Sequence, residues 1–359
     1  MTVHLKTHAL KGRCARLRAA VKDDLVAYAH SLGFDLCRIA PAVTPPHAAE
    51  FRAWLEQGCQ GEMAWLERNA DRRTSPQLVQ PDAKSVIVLG MNYYQDDGPT
   101  SANSAARGRI ARYAWGDDYH GLIEAKLRSI ESWLITRGGT QRRYVDTGPV
   151  LERDFAALSG VGWQGKSTML IHPRLGPWCF LAAVLTTLEL SADGPMHDHC
   201  GKCTRCLDAC PTGAITAPHR VDARKCISYL TIENKGSIPE EYRTAIGDRI
   251  YGCDECLEVC PWNRFARQSN ESAFTAREYV HHWSLRDFLS LDDERFRQLF
   301  RGSPIKRIKR RGFLRNVCVA LGNVGTQADL PALEAASHDE EPLVAEHAQW
   351  AIGQIVARS

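Results

Sequence analysis

The chain has no long apolar run. No stretch approaches the ~18 apolar residues of a membrane-spanning helix. Its best candidates, Ser85–Met91 and Cys179–Leu190, read as buried strands. Residues Met1–Arg18 mix Lys, Arg and His with short apolar pieces and lack the apolar stretch of a signal peptide. A cytoplasmic chain with no membrane partner is therefore expected. Neither charge sign dominates: the formal net charge is +3, so bulk charge alone implies no nucleic-acid partner. The usual nucleotide signatures are also missing. No G-x-G-x-x-G follows a strand pattern. Gly160-Val161-Gly162-Trp163-Gln164-Gly165-Lys166-Ser167-Thr168 satisfies G-x4-G-K-S, but a helical pattern, Glu152–Ser159, precedes it where a phosphate-binding loop needs a strand. A glycine-rich turn offering backbone N–H groups to another cofactor fits better.

Cysteine is plentiful: thirteen residues, eight of them between Cys200 and Cys260. Without an export signal, disulfides are not expected. Cys14, Cys37, Cys59, Cys179 and Cys318 are scattered and read as packing residues. Cys200-x2-Cys203-x2-Cys206-x3-Cys210-Pro211 follows the bacterial ferredoxin spacing, in which the fourth cysteine serves the other cluster. Cys253-x2-Cys256-x3-Cys260-Pro261 is the same run without its first member, since Ile250 stands there, and Cys226 is the free cysteine nearby. Two 4Fe-4S clusters follow. Cys200, Cys203, Cys206 and Cys260 hold one; Cys210, Cys226, Cys253 and Cys256 hold the other. Structural zinc is the bland alternative, with His197 and His199 beside Cys200. Zinc sites use two spaced pairs, however, not a triple followed by x3-Cys-Pro. Both histidines are expected at the surface.

The rest divides around this segment. Leu17–Leu32, Tyr119–Thr136 and Leu151–Leu158 have helical patterns, and with the two strand runs they suggest an α/β or α+β layered domain over 1–195. Residues 196–270 lack apolar periodicity, so something other than a hydrophobic core should organise them. Residues 280–359 read as all helix. There Ala320-Leu321-Gly322-Asn323-Val324 recurs as Ala351-Ile352-Gly353-Gln354-Ile355, and the period resembles a HEAT-like repeat. With so few copies, this piece should dock on the remainder. The fold class expected is α+β.

Paired clusters move electrons, so the chemistry should lie in the first region. Asp118-Tyr119-His120-Gly121-Leu122-Ile123 fails the D-x-H-x-x-G cobalamin pattern at its last position. Asp146 follows a short apolar strand and precedes a Gly-Pro turn, a place where scaffolds present catalytic groups. From position alone a turn-capping Asp is the commoner reading, and a proton donor the sharper one.

Four stretches taken together carry a family resemblance. They are Arg112-Tyr113-Ala114-Trp115-Gly116-Asp117-Asp118-Tyr119-His120, Val145-Asp146-Thr147-Gly148-Pro149-Val150-Leu151-Glu152-Arg153, Gly162-Trp163-Gln164-Gly165-Lys166 and the split ferredoxin pattern. The chain resembles epoxyqueuosine reductases over nearly its whole length. Ser167 departs from the Asn expected in the family's G-K-N-T. The resemblance implies an oxidoreductase that reduces epoxyqueuosine to queuosine at the wobble position of tRNA. It also implies cobalamin bound without a protein histidine below the cobalt, reduced through the clusters by a low-potential electron donor, in a monomeric chain. Residues 1–195 become the cobalamin-binding domain and 196–270 a ferredoxin-like domain. Asp146 becomes the catalytic acid. Arg112, Tyr113, Asp118, Tyr119, Asp146, Gly165, Lys166, Ser167 and Thr168 become the expected corrin neighbours.

Arg301, Lys306, Arg307, Lys309, Arg310, Arg311 and Arg315 form a cationic stretch with no intervening acid. Such a patch can bind phosphates without reading sequence. The bland reading is a solvated helix face. Lys306, Arg307, Lys309, Arg310 and Arg311 are the expected contacts to the tRNA anticodon stem-loop, whose unstacked bases can enter a cofactor pocket. Two other functions share parts of this pattern. A cobalamin-dependent reductive dehalogenase has the same electron path but needs neither the cationic stretch nor the helical repeat. A ferredoxin-type carrier has no use for the domain ahead of the cysteines.

Overall fold

The computed structural model describes residues 18–96 and 106–358; Cys14 lies outside them, as does the segment read as lacking a signal. The first region contains helix α1 (18–31) and strands β1 (Leu36–Pro41) and β2 (Ser85–Asn92). Helix α2 (Tyr119–Ile135), strand β3 (Gln141–Tyr144), helix α3 (Glu152–Leu158) and strand β4 (Cys179–Thr186) follow. The strands form one sheet in the order β1-β2-β4-β3, every pair antiparallel.

The antiparallel register corrects the α/β expectation for this region: it is α+β. An antiparallel sheet with one wet face alternates polar and apolar residues, and β2 does not, which made it look like a parallel-sheet strand. The reason is that helices cover both faces. Ile87, Leu89 and Met91 point to one side, with Leu25 and Ala29 of α1 and Ile123, Leu127, Ile130 and Leu134 of α2. Val86 and Val88 point to the other, against Phe155 and Ala156 of α3. Helix α2 begins at Asp118, whose carboxylate accepts the His120 N–H at 3.1 Å.

The cysteine runs flank helix α4 (Ile227–Ile232), helix α5 (Glu240–Ile246) and strand β5 (Arg249–Tyr251). This stretch does have a core, contrary to the reading of 196–270. Ile232, Ile250 and Tyr251 are buried among the C-terminal helices, together with Ile110 and Trp115 of the first region. Strand β5 also pairs in parallel with Arg109–Ile110.

The C-terminal region carries helices α6 (Lys309–Val324), α7 (Leu330–Ala336) and α8 (Pro342–Arg358). The repeated segments lie on α6 and α8, which pack together. Gly322 lies under the Trp350 ring and against Ala351, whereas Gly353 has open space around it.

Arg315, on α6, is 1% exposed. Its guanidinium donates to the carbonyls of Leu230 (2.8 Å), Asn234 (2.9 Å) and Gly236 (2.6 Å) and to Asn316 Oδ1. Asn316 in turn donates to the carbonyls of Thr231 and Ile250. Burial holds the Arg315 pKa down at about 10, still charged at neutral pH. This knot ties α6 to the loop after α4. Arg315→Met should lower stability by roughly 3 kcal/mol, because buried carbonyls lose their donors. Chemical denaturation checks this; an unchanged midpoint would mean that water replaces the guanidinium.

Candidate functional site

The two cysteine runs have the same local shape. In the first, a one-turn helix Arg205–Asp208 follows Thr204 and leads into Cys210-Pro211. In the second, Glu255–Glu258 follows Asp254 and leads into Cys260-Pro261. The Leu207 N–H donates to the Thr204 carbonyl as the Leu257 N–H does to that of Asp254, both at 2.8 Å. The short helices pack against each other, so each run's last cysteine is carried across to the other.

The thiols fall into two neighbourhoods. Cys260 is pushed up first by burial and then by Cys200, Cys206 and Cys203. Cys206 is raised likewise, by burial and by Cys200 and Cys203. Cys256 is raised by burial and by Cys226, Cys253 and Cys210. Cys253 is pushed up to about 12, mainly by burial, with Cys226 among its neighbours. Ile250, at the position of the missing cysteine, is buried in the C-terminal core.

These donors fit a pair of cubanes. Each neighbourhood offers four soft thiols, the donor set that suits a cubane. Among the described residues, no three His, Cys, Asp or Glu side chains converge on a single ion. Cys200, Cys203, Cys206 and Cys260 instead line a cavity of about 250 Å3 that also reaches Cys256. His197 and His199 are exposed. The His199 ring lies 5.0 Å from that of Trp163 and 5.8 Å from that of Trp262.

The segment that mimics a phosphate-binding loop is a hairpin turn. Trp163–Gln164 pairs antiparallel with Leu170–Ile171, and Gly165–Thr168 closes the turn, with Thr168 at φ +66°. The side chain of Lys166 is already engaged: Nζ donates to the carbonyls of Gly201 (2.7 Å) and Cys203 (3.0 Å). Its side chain clamps the first cysteine loop, so what the turn offers outward at Lys166 is backbone. Ser167 is buried. The Trp163 indole N–H is aimed at the Cys200 thiol, and the buried Gln164 Oε1 has no hydrogen-bond partner. An unsatisfied acceptor at such a place suits a bound cofactor.

Arg112, another expected corrin neighbour, lies deep in the packing. It is 5% exposed, with its guanidinium over the rings of Trp115 (4.7 Å), Trp178 (5.0 Å) and Tyr94 (5.2 Å). Nε donates to the Gln95 carbonyl at 2.7 Å, and the guanidinium pairs with Glu258 at 3.2 Å. Its backbone N–H donates to Asp254 at 2.6 Å. Burial pushes that carboxyl up to about 6. Arg112 therefore pins the first region to the second cysteine run. Gly116, four residues on, has no room for a Cβ, which would run into the Ala273 carbonyl.

Asp118, Tyr113 and Tyr119 sit together at the start of α2. Burial raises Asp118, but hydrogen bonds from His120 outweigh it and hold the carboxyl below its usual range. The Tyr113 ring lies 6.3 Å from Tyr119 and 6.0 Å from Tyr251. The Arg307 guanidinium faces all three tyrosines and pairs with Glu233 at 2.7 Å. Tyr119 stacks on Phe180, ring centroids 3.9 Å apart, and its hydroxyl donates to Asp146 Oδ2.

Asp146 is exposed, in the loop after β3, with φ +53°. Its backbone N–H donates to Glu152 Oε1 at 3.1 Å. Gly148 lets the loop fold back on the Tyr144 ring, which a Cβ would strike. Burial, then the Asp146 carboxylate, pushes Glu152 well above the ordinary carboxylate range; Arg73 and Arg153 oppose this. Sequence reasoning quoted Glu152 within a motif and gave it no role. The readable signal was a second carboxylate across the Gly-Pro turn from Asp146.

The cationic stretch is divided. Lys306, Arg307, Lys309 and Arg311 are exposed, as is Arg301. Arg310 makes a two-pronged pair with Asp339, at 2.6 and 3.1 Å, and donates to the Leu291 carbonyl. Of the five expected tRNA contacts, Arg310 is thus engaged within the chain, and Arg315, at the end of the cationic stretch, is buried.

Comparison with known proteins adds names to this geometry. A family model described as "4Fe-4S double cluster binding domain" matches residues 199–263. Another, "Epoxyqueuosine reductase QueG, DUF1730", matches 73–147. The epoxyqueuosine reductase of Xanthomonas campestris is 42% identical over 91% of this chain and 94% of its own length. That of Escherichia coli is 38% identical over 91% and 87%. A crystal structure of epoxyqueuosine reductase with an epoxyqueuosine-modified tRNA stem loop superposes with a TM-score of 0.86 and 32% identity, covering 94% of this chain and 90% of that one. A Bacillus subtilis epoxyqueuosine reductase, caught with its aspartate catalytic loop swung out of the active site, gives 0.85 and 32% over the same shares.

Proposed function

The chain belongs to the epoxyqueuosine reductase family of oxidoreductases, and we propose that it converts epoxyqueuosine to queuosine at the wobble position of tRNA. On this reading electrons from a low-potential donor pass through two 4Fe-4S clusters to cobalamin, in a monomeric, cytoplasmic protein. No helix among the described residues is long and apolar enough to cross a membrane. The observation that carries the reading is the crosswise grouping of the eight thiols, in a chain that also holds the Tyr119–Asp146–Glu152 array.

Cys200, Cys203, Cys206 and Cys260 hold one cluster; Cys210, Cys226, Cys253 and Cys256 hold the other. The Gly165–Thr168 turn, Gln164, Tyr113 and Tyr119 are the residues we assign to the corrin. When bound, the clusters and the corrin supply the two electrons that open the epoxide. The chain supplies proton and position. Asp146 protonates the departing epoxide oxygen, which leaves as water after a second proton arrives. Tyr119 fixes the carboxyl from the Oδ2 side, and the stacked Phe180 fixes Tyr119. The α6 and α8 pair, read as a HEAT-like unit, and the turn before α6 present Lys309, Arg311 and Lys306 to tRNA phosphates. Arg307, facing the tyrosines, sits where the modified base would enter.

Four outcomes are expected. With cobalamin, a low-potential reductant and epoxyqueuosine-bearing tRNA, mass analysis of nucleosides should show queuosine. Asp146→Asn should cut its formation about 100-fold or more with iron content unchanged; full activity would remove Asp146 as the acid. Cys226→Ala should lose about half of the iron and one cluster's electron paramagnetic signal, and full retention would mean that another residue closes that ligand set. Replacing Lys306, Lys309 and Arg311 together with Ala should weaken tRNA binding and flatten the log Kd against log salt slope by about 2. Arg310 is left intact because it ties α6 to Asp339. An unchanged slope would place the RNA elsewhere.

A further inference from the structure

We propose that Glu152 is the positioning residue that holds the Asp146 loop in place, by accepting the Asp146 backbone N–H. This rests on the reading of Asp146 as the proton donor and adds what keeps that donor aimed.

Asp146 has a left-handed backbone, φ +53°, which a non-glycine residue keeps only when its surroundings over-determine it. Its side chain is exposed, so packing does not hold it. Two polar contacts do: the Tyr119 hydroxyl on Oδ2 and Glu152 Oε1 on the backbone N–H, at 3.1 Å. The first fixes the carboxyl and the second fixes the peptide that carries it. Glu152 is well placed for this. It is the first residue of α3, whose Phe155 and Ala156 are buried against the sheet. The loop thus hangs from an element that cannot easily move. Val150, at the loop's far end, is buried too, and its carbonyl accepts from Arg73 at 3.2 Å.

The ionisation of Glu152 suits the task. Burial and the adjacent Asp146 carboxylate both favour its neutral form. A neutral carboxyl still accepts through its carbonyl oxygen, without placing a second negative charge beside the acid. Glutamine reproduces that acceptor; leucine fills the space and accepts nothing. A relative of this chain has been caught with its catalytic loop swung out, so a loop of this kind has a second position from which it must be restrained.

The experiment compares Glu152→Gln and Glu152→Leu, each loaded with clusters and cobalamin. Two measurements are made: kcat and KM on epoxyqueuosine-bearing tRNA, and hydrogen exchange of peptides spanning 145–151. Glu152→Leu should lose at least tenfold in kcat with KM for tRNA within twofold, and its loop amides should exchange faster. Glu152→Gln should recover most of the activity and the protection. If Gln is as inactive as Leu while the loop stays protected, Glu152 acts through its proton and the positioning role is overturned. If Leu leaves both activity and exchange unchanged, the loop holds itself and the proposal is equally overturned. Asp146→Asn run in parallel separates the two claims: full activity there would remove the acid reading, while the exchange of Glu152→Leu still decides what holds the loop.

Discussion

Two short helices packed against each other set the plan of the molecule. Arg205–Asp208 and Glu255–Glu258 lie together, so Cys210 and Cys260 each cross to the other run's neighbourhood. That exchange is possible only if the forty-odd residues between the runs leave and come back to a fixed place. They do so by packing outward. Ile232, Ile250 and Tyr251 join the C-terminal core. Arg315 and Asn316 fasten the backbone of 230–236 and Ile250 through buried and part-buried hydrogen bonds. The C-terminal helices are thus part of what shapes the double-cluster segment. Arg112 does the corresponding work on the other side, joining Gln95, Asp254 and Glu258 beneath three aromatic rings.

The same packing brings the far ends of the chain to one place. Tyr113 and Tyr119 belong to the first region, Tyr251 to the stretch between the cysteine runs, and Arg307 to the approach to α6. Their mutual electrostatic influence places them around one space. Strand β5 and Arg109–Ile110 keep them there by parallel pairing. Loss of the Arg315 knot would therefore disturb both the cysteine segment and this wall of tyrosines.

Much of this was legible in the sequence, and the misses have physical causes. Spacing alone assigned the cysteines, because ligand geometry is dictated by the cluster and leaves a regular trace in the chain. Strand β2 and helix α2 were readable from apolar pattern. The antiparallel sheet was not, since β2 is covered on both faces and reads like a parallel strand. The core of 227–251 was missed because its partners are remote in sequence, such as Ile110 and Trp115 upstream and Pro304 and Asn316 downstream, and periodicity is blind to distant cover. The cationic stretch was overcounted for the same reason. Asp339, which engages Arg310, and the carbonyls that engage Arg315 are remote in sequence. The hold of Lys166 on the Gly201 and Cys203 carbonyls was likewise invisible, because those partners are thirty-odd residues away. Glu152 lay in plain view, but a glutamate at a helix start is an ordinary feature; only its bond to the Asp146 amide singles it out.

The exposure of Asp146 has a consequence for how an acid of this kind can work. A general acid must lie within hydrogen-bond reach of the atom it protonates. Asp146 faces outward, and its loop is held from the protein side by the Tyr119 hydroxyl and by Glu152 Oε1. On the proposed reading the remaining cover is the substrate, an unstacked base that enters over the loop. The protein then supplies the aim of the carboxyl, and the RNA closes the site. A loop that drifted would lose that aim with every ligand still bound, because the two polar ties of Asp146 run to α2 and α3 and not to the substrate.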